Sequence, residues 1–395
     1  MKGVKVPGFQ FAGVACGIKK SKKKDLALIF SERPATAAAL FTTNRLRAGS
    51  VVVGMRHVRR GRIQAVVIAS GNANACTGKR GIRDAEAMCR ETARRLGIDL
   101  SLVLPSATGI VGVPLPIERV KEGIARAAVL LSPDSLQQAA EAILTTDRFV
   151  KVSAASCSIQ GRRVLVAGMV KGAGMIAPKM ATMLAYLMTD SAVGPGCLRA
   201  ILRRAADATF NAVTVDGDTS TNDTVLFLAN GAAGNAPIRS GTKEEKALFA
   251  AAHKVMKELA LKLVEDGEGT TKVVEIRVEG ARSVSDARKV AFSVANSKLV
   301  KTAFYGEDPN FGRIMVAIGY AGVAVNPDKI DVSFDGVKVV RNGVGLPANE
   351  RQAAKVLRRH SFKVRIQLRQ GSASTSVWTS DLSHEYVRIN SAYRT

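Results

Sequence analysis

Between Phe362 and Arg369 apolar and charged positions alternate strictly: Phe362, Val364, Ile366 and Leu368 against Lys363, Arg365, Gln367 and Arg369. That period predicts a strand with one wet face. Lys272 to Glu279 repeats it, with Val274, Ile276 and Val278 on one side. Ile330–Phe334, the dipeptide Asp335-Gly336 and Val337–Val340 predict a hairpin. Asp25–Phe30 and Gln64–Ala69, apolar after their leading polar residue, and the apolar run Met183–Met188 are of strand length and read as buried strands. The helical period appears over Asp84–Leu96, where Ala85, Met88, Cys89, Ala93 and Leu96 share a face. Glu86–Arg90 and Glu91–Arg95 are spaced to pair along it, and Gly97 ends it. Ser132-Pro133-Asp134 predicts a helix start with proline first, running to about Leu144. Leu198–Ala208 reads as another helix. Thr242 and Glu245 form a capping box at the head of the longest one, which stops before Gly267. Asn349 and Gln352 bracket the start of a further helix ending near His360. Strands and helices alternate without a Gly/Ser-rich or Pro-rich linker, which argues for an α/β fold with mixed sheets covered by helices.

Composition changes this picture little. The chain has 395 residues, 47% hydrophobic and 23% charged, the range of an ordinary globular protein. No apolar run is long enough for a transmembrane helix. Residues 8–16 faintly imitate an export signal, but Gly8, Gln10 and Gly13 interrupt it, so export is not expected. Cys16, Cys76, Cys89, Cys157 and Cys197 are odd in number and widely spaced, which fits a reducing cytoplasm. A formal net charge of +25 would favour polyanions. Its runs, Lys19–Lys24 and Arg56–Arg62, are short and lack interleaved aromatics, so a solvated basic surface is the reading taken and no nucleic-acid partner is expected.

Candidate chemistry is sparse. There is no G-x-S-x-G and no H-E-x-x-H, and four histidines make a Ser-His-Asp relay a poor expectation. The loop Gly71–Lys79 imitates a phosphate loop but fails in glycine spacing and in the Arg80 that follows its lysine. Asp216, Asp218 and Asp223 lack the twelfth-position glutamate of a calcium loop; turn scaffolding is expected and no metal. Lys171-Gly-Ala-Gly-Met-Ile-Ala-Pro leads through Met180-Ala181 to Thr182 and the apolar run. Two readings stand there. Thr182 is an ordinary strand residue, or it is a nucleophile whose base is its own α-amine, freed by cleavage between Ala181 and Thr182. An α-amine titrates at roughly 7.7–8.0, close to working pH. Thr108 and Gly109, in Pro105–Gly112, offer a hydroxyl and a backbone N–H for an oxyanion. Glu268, in the acidic Glu265–Lys272 loop, is either solvated or reads an ammonium.

Several segments carry a family likeness. Phe41–Arg45, Ser70–Gly78, Lys171–Leu184, Thr214–Thr224, Val300–Ile314 and Asn390–Thr395 resemble, in order, segments of the ornithine acetyltransferases, the glutamate N-acetyltransferases of arginine biosynthesis. The resemblance covers nearly the whole length. Phe311 departs from it where the family often has tryptophan. It implies an α/β/β/α sandwich with a second, smaller α/β region. It implies self-cleavage into an α chain (1–181) and a β chain (182–395) that stay associated, as a dimer of cleaved protomers, a heterotetramer. It implies Thr182 as nucleophile, Thr108 and Gly109 as oxyanion hole, and Thr145, Lys171, Glu268, Asn390 and Thr395 as substrate-holding positions. The implied reaction moves an acetyl group from N2-acetyl-L-ornithine to L-glutamate without a cofactor, with acetyl-CoA as a conceivable second donor. A self-processing aminopeptidase of related architecture is the alternative.

Overall fold

The computed structural model describes residues 3–177 and 183–392. The chain forms two compact units. The first takes the residues up to Asn211 and Asp218–Leu263; the second takes Ala212–Gly217 and the chain from Val264 onward.

The first unit is built on an eight-stranded sheet. Its strands are β1 (Phe9–Val14), β2 (Leu26–Phe41), β3 (Arg62–Asn72), β4 (Val103–Ile110), β5 (Lys151–Ile159), β6 (Arg162–Lys171), β7 (Leu184–Thr189) and β9 (Thr224–Ala229). The short β8 (Val213–Thr214) joins the other sheet. The order is β4-β3-β2-β9-β7-β6-β5, with β1 added to β2. The run Asp25–Phe30 is thus the start of a much longer strand. Its register shifts between Phe30 and Ala35, around Pro34, which has no N–H to give to a ladder. The signal-like residues 9–14 are β1, antiparallel to β2.

Because side chains alternate across a strand, this sheet has two apolar faces. Leu26, Leu28, Ala65 and Val67 look one way, onto α1 (Gly49–Val58), α2 (Gly78–Leu96) and α3 (Ile117–Val129). Ala27, Ile29, Val66 and Ile68 look the other, onto α4 (Leu136–Ala142). A side chain on Gly49 would lie 2.3 Å from the Gly81 carbonyl, so glycine lets α1 meet α2 backbone to backbone. α2 starts earlier than its apolar stripe. Glu91 takes Arg94 and Arg95, while Glu86 pairs with Arg56 of α1 rather than with Arg90. α4 starts later than expected. Ser132 exchanges both backbone hydrogen bonds with Phe11, at 2.9 and 3.0 Å, which keeps Ser132-Pro133-Asp134 out of the helix. α5 (Pro195–Ala208) has proline in its first turn and packs on β2 and β9. α6 (Lys243–Glu265) is capped as expected: Thr242 Oγ1 accepts from Glu245 N at 3.2 Å, and Glu245 Oε2 accepts from Gly241 N at 2.6 Å.

Every residue of β7 is buried. It pairs antiparallel with β6 and parallel with β9, which explains a continuous apolar run rather than an alternating one.

The second unit carries a seven-stranded sheet ordered β13-β12-β11-β14-β10-β15-β8. Its further strands are β10 (Val273–Ala281), β11 (Asp331–Phe334), β12 (Val337–Arg341), β13 (Val344–Gly345), β14 (Ser361–Gln367) and β15 (Ala373–Ser380). Its helices are α7 (Val284–Asn296), α8 (Lys298–Tyr305), α9 (Phe311–Gly319), α10 (Glu350–Leu357) and α11 (His384–Ala392). Val274, Ile276, Val364 and Ile366 pack on Val290 and Val294 of α7. Asp335 (φ 43°) and Gly336 (φ 90°) make the hairpin turn, both in the left-handed region that this turn requires. The expected α/β class with two sheets is the fold observed. The compact units divide elsewhere than at residue 181: strands on both sides of that junction, β6 and β7, are neighbours in one sheet.

Candidate active site

Two groups of the expected residues come together, one in each unit. Ala181, Thr182 and Thr395 lie outside the described residues.

In the first unit the group forms where β4, β6 and β7 meet their loops. Thr108 sits near the end of β4 and Lys171 at the end of β6; both are buried. Lys171 Nζ donates to Thr108 Oγ1 at 3.1 Å. A hydroxyl oxygen that accepts from an ammonium has its own hydrogen free to point at another oxygen, and the ammonium makes it a better donor. Gly109 follows at φ 130°, a backbone that side chains avoid. A Cβ there would lie 2.3 Å from Gly71 C and 2.6 Å from Asn72 N. Only glycine permits β3 and β4 to run this close at their ends.

Asp147 ties the rest of this group together, and sequence reasoning did not find it. Its Oδ1 accepts from Lys151 Nζ at 2.6 Å and from Gly172 N at 2.7 Å. Its Oδ2 accepts from Thr145 N at 2.9 Å. One carboxylate thus fixes both Thr145 and the residue after Lys171. The Asp147 and Lys151 side chains are fully buried. Burial alone would push the Asp147 carboxyl up, but the charges of Lys151 and Lys171 and these hydrogen bonds hold it down at about 2. Lys19 lies nearby, and burial pushes its ammonium down to about 8.

The Gly71–Lys79 loop spends its amides on itself and its neighbours. Asn72 Nδ2 donates to the carbonyls of Val113 and Pro114, and Asn74 Nδ2 to that of Gly81. That is scaffolding for the Gly71–Gly109 contact. Of the three aspartates considered for a metal, Asp218 and Asp223 belong to the first unit and Asp216 to the second. Among the described residues no group of three or more His, Cys, Asp or Glu side chains is placed to hold a metal.

In the second unit, Glu268 Oε2 accepts from Asn390 Nδ2 at 2.8 Å. Gly269, at φ 71°, packs so closely on α11 that a Cβ would lie 2.5 Å from Tyr386 N. Ser383 Oγ closes the contact by donating to Gly269 O at 2.6 Å. The acidic loop is therefore held against the C-terminal helix. Lys301 is a second buried residue that the sequence did not advertise. Its Nζ donates to Thr379 Oγ1 at 3.0 Å, to Ser380 Oγ at 3.1 Å and to the Ser380 carbonyl. Burial lowers its ammonium to about 7, with Asp381 and Asp216 pulling it partly back.

The histidines are occupied elsewhere. His57 Nδ1 is 2.6 Å from Val103 O, and His360 Nδ1 is 2.8 Å from Thr271 O. A buried hydroxyl–ammonium pair thus stands beside a glycine-only turn on an α/β scaffold. A family model described as the ArgJ family matches residues 10–395. The arginine biosynthesis bifunctional protein ArgJ of Geobacter sulfurreducens is 49% identical over 392 residues, 99% of this chain and 100% of that protein. That of Symbiobacterium thermophilum is 47% identical over 396 residues, 100% of this chain and 98% of that protein. A crystal structure of the Bacillus halodurans ArgJ protein matches with 36% identity and a TM-score of 0.51, over 53% of this chain and 98% of that one. The chain belongs to the ArgJ family. It is an acetyltransferase of arginine biosynthesis, as the order of its motifs implied. No helix among the described residues is long and apolar enough to cross a membrane.

Proposed function

We propose that the chain cuts itself between Ala181 and Thr182 and then moves the acetyl group of N2-acetyl-L-ornithine to L-glutamate through an acetyl-threonine on Thr182. The observation that carries this is the buried Lys171–Thr108 pair, 3.1 Å long, beside the start of β7, where Lys171 is in register with Leu184. Thr182 stands two residues before that leucine.

The reaction has two halves. The α-amine of Thr182 takes the proton of its own hydroxyl, and the oxygen attacks the acetyl carbonyl of the donor. The Thr108 hydroxyl and the Gly109 N–H receive the oxyanion. The C–N bond breaks, ornithine leaves as the amine with that proton, and the acetyl group remains as an ester. The amine of L-glutamate then attacks the ester; the C–O bond breaks, a proton from the glutamate nitrogen passes through the α-amine to the Thr182 oxygen, and N-acetyl-L-glutamate departs. Neither half uses a resident cofactor or metal, and acetyl-CoA, a thioester rather than an amide, is left open as a second donor.

The remaining roles follow from charge. Glu268 suits the side-chain ammonium of the donor, with Asn390 orienting it, and Lys171 suits a substrate carboxylate. Thr145, fixed by Asp147, and Thr395 complete the substrate-holding set. The sheet supports association after cleavage, since β7 is hydrogen-bonded to β6 on one side and β9 on the other. The Bacillus halodurans chain is of about half this length, since 53% of this one covers 98% of it, as a cleaved half would be. A dimer of such cleaved protomers in the cytoplasm completes the reading.

The test is transfer between the named substrates. Equimolar ornithine and N-acetyl-L-glutamate from N2-acetyl-L-ornithine and L-glutamate are expected. Release of amino acids from peptides, with no acetyl exchange, would favour an aminopeptidase instead.

A further inference from the structure

The stretch before β9 does something that turn scaffolding does not require. Asn222, Asp223 and Thr224 are consecutive and buried. Asn222 Nδ2 donates to two carbonyls, Ala107 O at 2.8 Å and Ala73 O at 2.6 Å. Ala107 directly precedes Thr108, and Ala73 stands two residues after Gly71, which faces Gly109. Asp223 Oδ1 accepts from Met183 N at 2.9 Å. Thr224 N donates to Met183 O at 3.1 Å, so both backbone groups of Met183 are held. Met183 directly follows Thr182. The clamp is itself anchored, since Thr42 N donates to Asp223 O at 3.1 Å.

We propose that Asn222-Asp223-Thr224 is a positioning clamp that fixes the spacing between the oxyanion donors on β4 and the nucleophile before β7. The proposal rests on the acetyl-threonine reading above. Its logic is that acyl transfer is sensitive to placement: a displacement of about 1 Å costs on the order of 10²-fold in rate. β4 and β7 are not neighbours in the sheet, being separated by β3, β2 and β9. Ladder hydrogen bonds therefore set their ends only through three intervening strands. The tripeptide spans that gap directly, one side chain to each end. Asp223 Oδ2 has no hydrogen-bond partner among the described residues. Burial pushes this carboxyl well above its usual range, against the pull of the Met183 N–H and the Lys171 charge. An asparagine carbonyl oxygen can accept the same Met183 N–H.

Four full-length variants test this: Asn222→Ala, Asn222→Asp, Asp223→Ala and Asp223→Asn. Asn222→Ala is expected to lower kcat for acetyl transfer by about 10²-fold with little change in KM. Asn222→Asp keeps the shape, loses both donated bonds and gives the same loss should the alanine variant fail to fold. Asp223→Ala is expected to slow self-cleavage by a similar factor and to speed amide hydrogen exchange at Met183. Asp223→Asn recovers most of that loss. Rates like those of the unchanged protein in the Asn222 and Asp223→Ala variants would overturn the clamp. So would an Asp223→Asn protein as slow as Asp223→Ala, which would mean that the carboxyl moves a proton. If the unchanged protein neither cuts itself nor transfers acetyl, the proposed function fails. The clamp, which places that nucleophile, then falls with it; if the unchanged protein does cut itself and transfer acetyl, unchanged Met183 exchange in Asp223→Ala refutes the clamp alone.

Discussion

Replacing Asp147 by asparagine removes one charge from the centre of the first unit and keeps the side chain's size. The carboxylate loses its ion pair with Lys151 at 2.6 Å, where both side chains are fully buried. Depriving a buried charge of its partner costs roughly 3–5 kcal/mol. Linkage gives an independent figure. A carboxyl that titrates near 3.8 when free and at about 2 here contributes about 2.5 kcal/mol to folding. The sign follows from the depressed value: the contribution is complete above pH ~4 and is lost as pH falls through about 2. At neutral pH Asp147→Asn should therefore cost about 3 kcal/mol, or a fall of about 6–12 °C in the melting temperature of a unit of this size. Catalysis should suffer too, because Thr145 and Gly172 lose a charged acceptor. The assay is thermal unfolding of Asp147→Asn, Lys151→Met and the double variant. The double variant should recover part of the loss, since removing both charges leaves neither Asp147 nor Lys151 as a buried charge without its partner. An Asp147→Asn melting temperature within 1–2 °C of the unchanged protein, below the roughly 2–4 °C expected per kcal/mol, would refute the buried-pair reasoning.

Other outcomes are expected. Thr108→Ala should lower kcat by about 10²–10³-fold, and a full rate would remove Thr108 from the oxyanion hole. Gly109→Ala should lose most activity, because its Cβ meets the Gly71 backbone at 2.3 Å; steady-state kinetics and crystallography would check it. Asn390→Ala should raise the KM for the acetyl donor while leaving the melting temperature unchanged, because its bond to Glu268 lies in a partly exposed loop–helix contact. Lys301 titrates at about 7 when folded and near 10.4 when unfolded. The unfolded state then binds more protons between those values, so stability should rise from pH ~7 to ~10, a slope that Lys301→Met should remove in a pH series of unfolding midpoints.

The sequence made some of this legible and hid the rest for physical reasons. Elements with one wet face were readable, as in α2, β10 and β14, because periodicity records which side meets water. α1 was not, since Gly49-Ser-Val-Val-Val53 has the composition of a strand and becomes a helix through its glycine contact with α2. The helix expected from Pro133 was displaced by a bridge to Phe11, a partner far away in the chain. Within the site, Thr108 was proposed from its own glycine turn and Lys171 through the family resemblance, and the two prove to touch. Asp147 and Asn222 were not found as site residues. The contacts that place them in the site reach Gly172, 25 residues from Asp147, and Ala107, 115 residues from Asn222, and no local pattern marks either.

The central claim is the acetyl-threonine, and denaturing intact mass tests it most directly. The purified protein should appear as two fragments of 181 and 214 residues, the second beginning at Thr182. Brief exposure to N2-acetyl-L-ornithine should add the mass of one acetyl group to the second fragment, and L-glutamate should remove it. A single uncut chain that still transfers acetyl, or a fragment pair that never carries the acetyl group, would contradict the account.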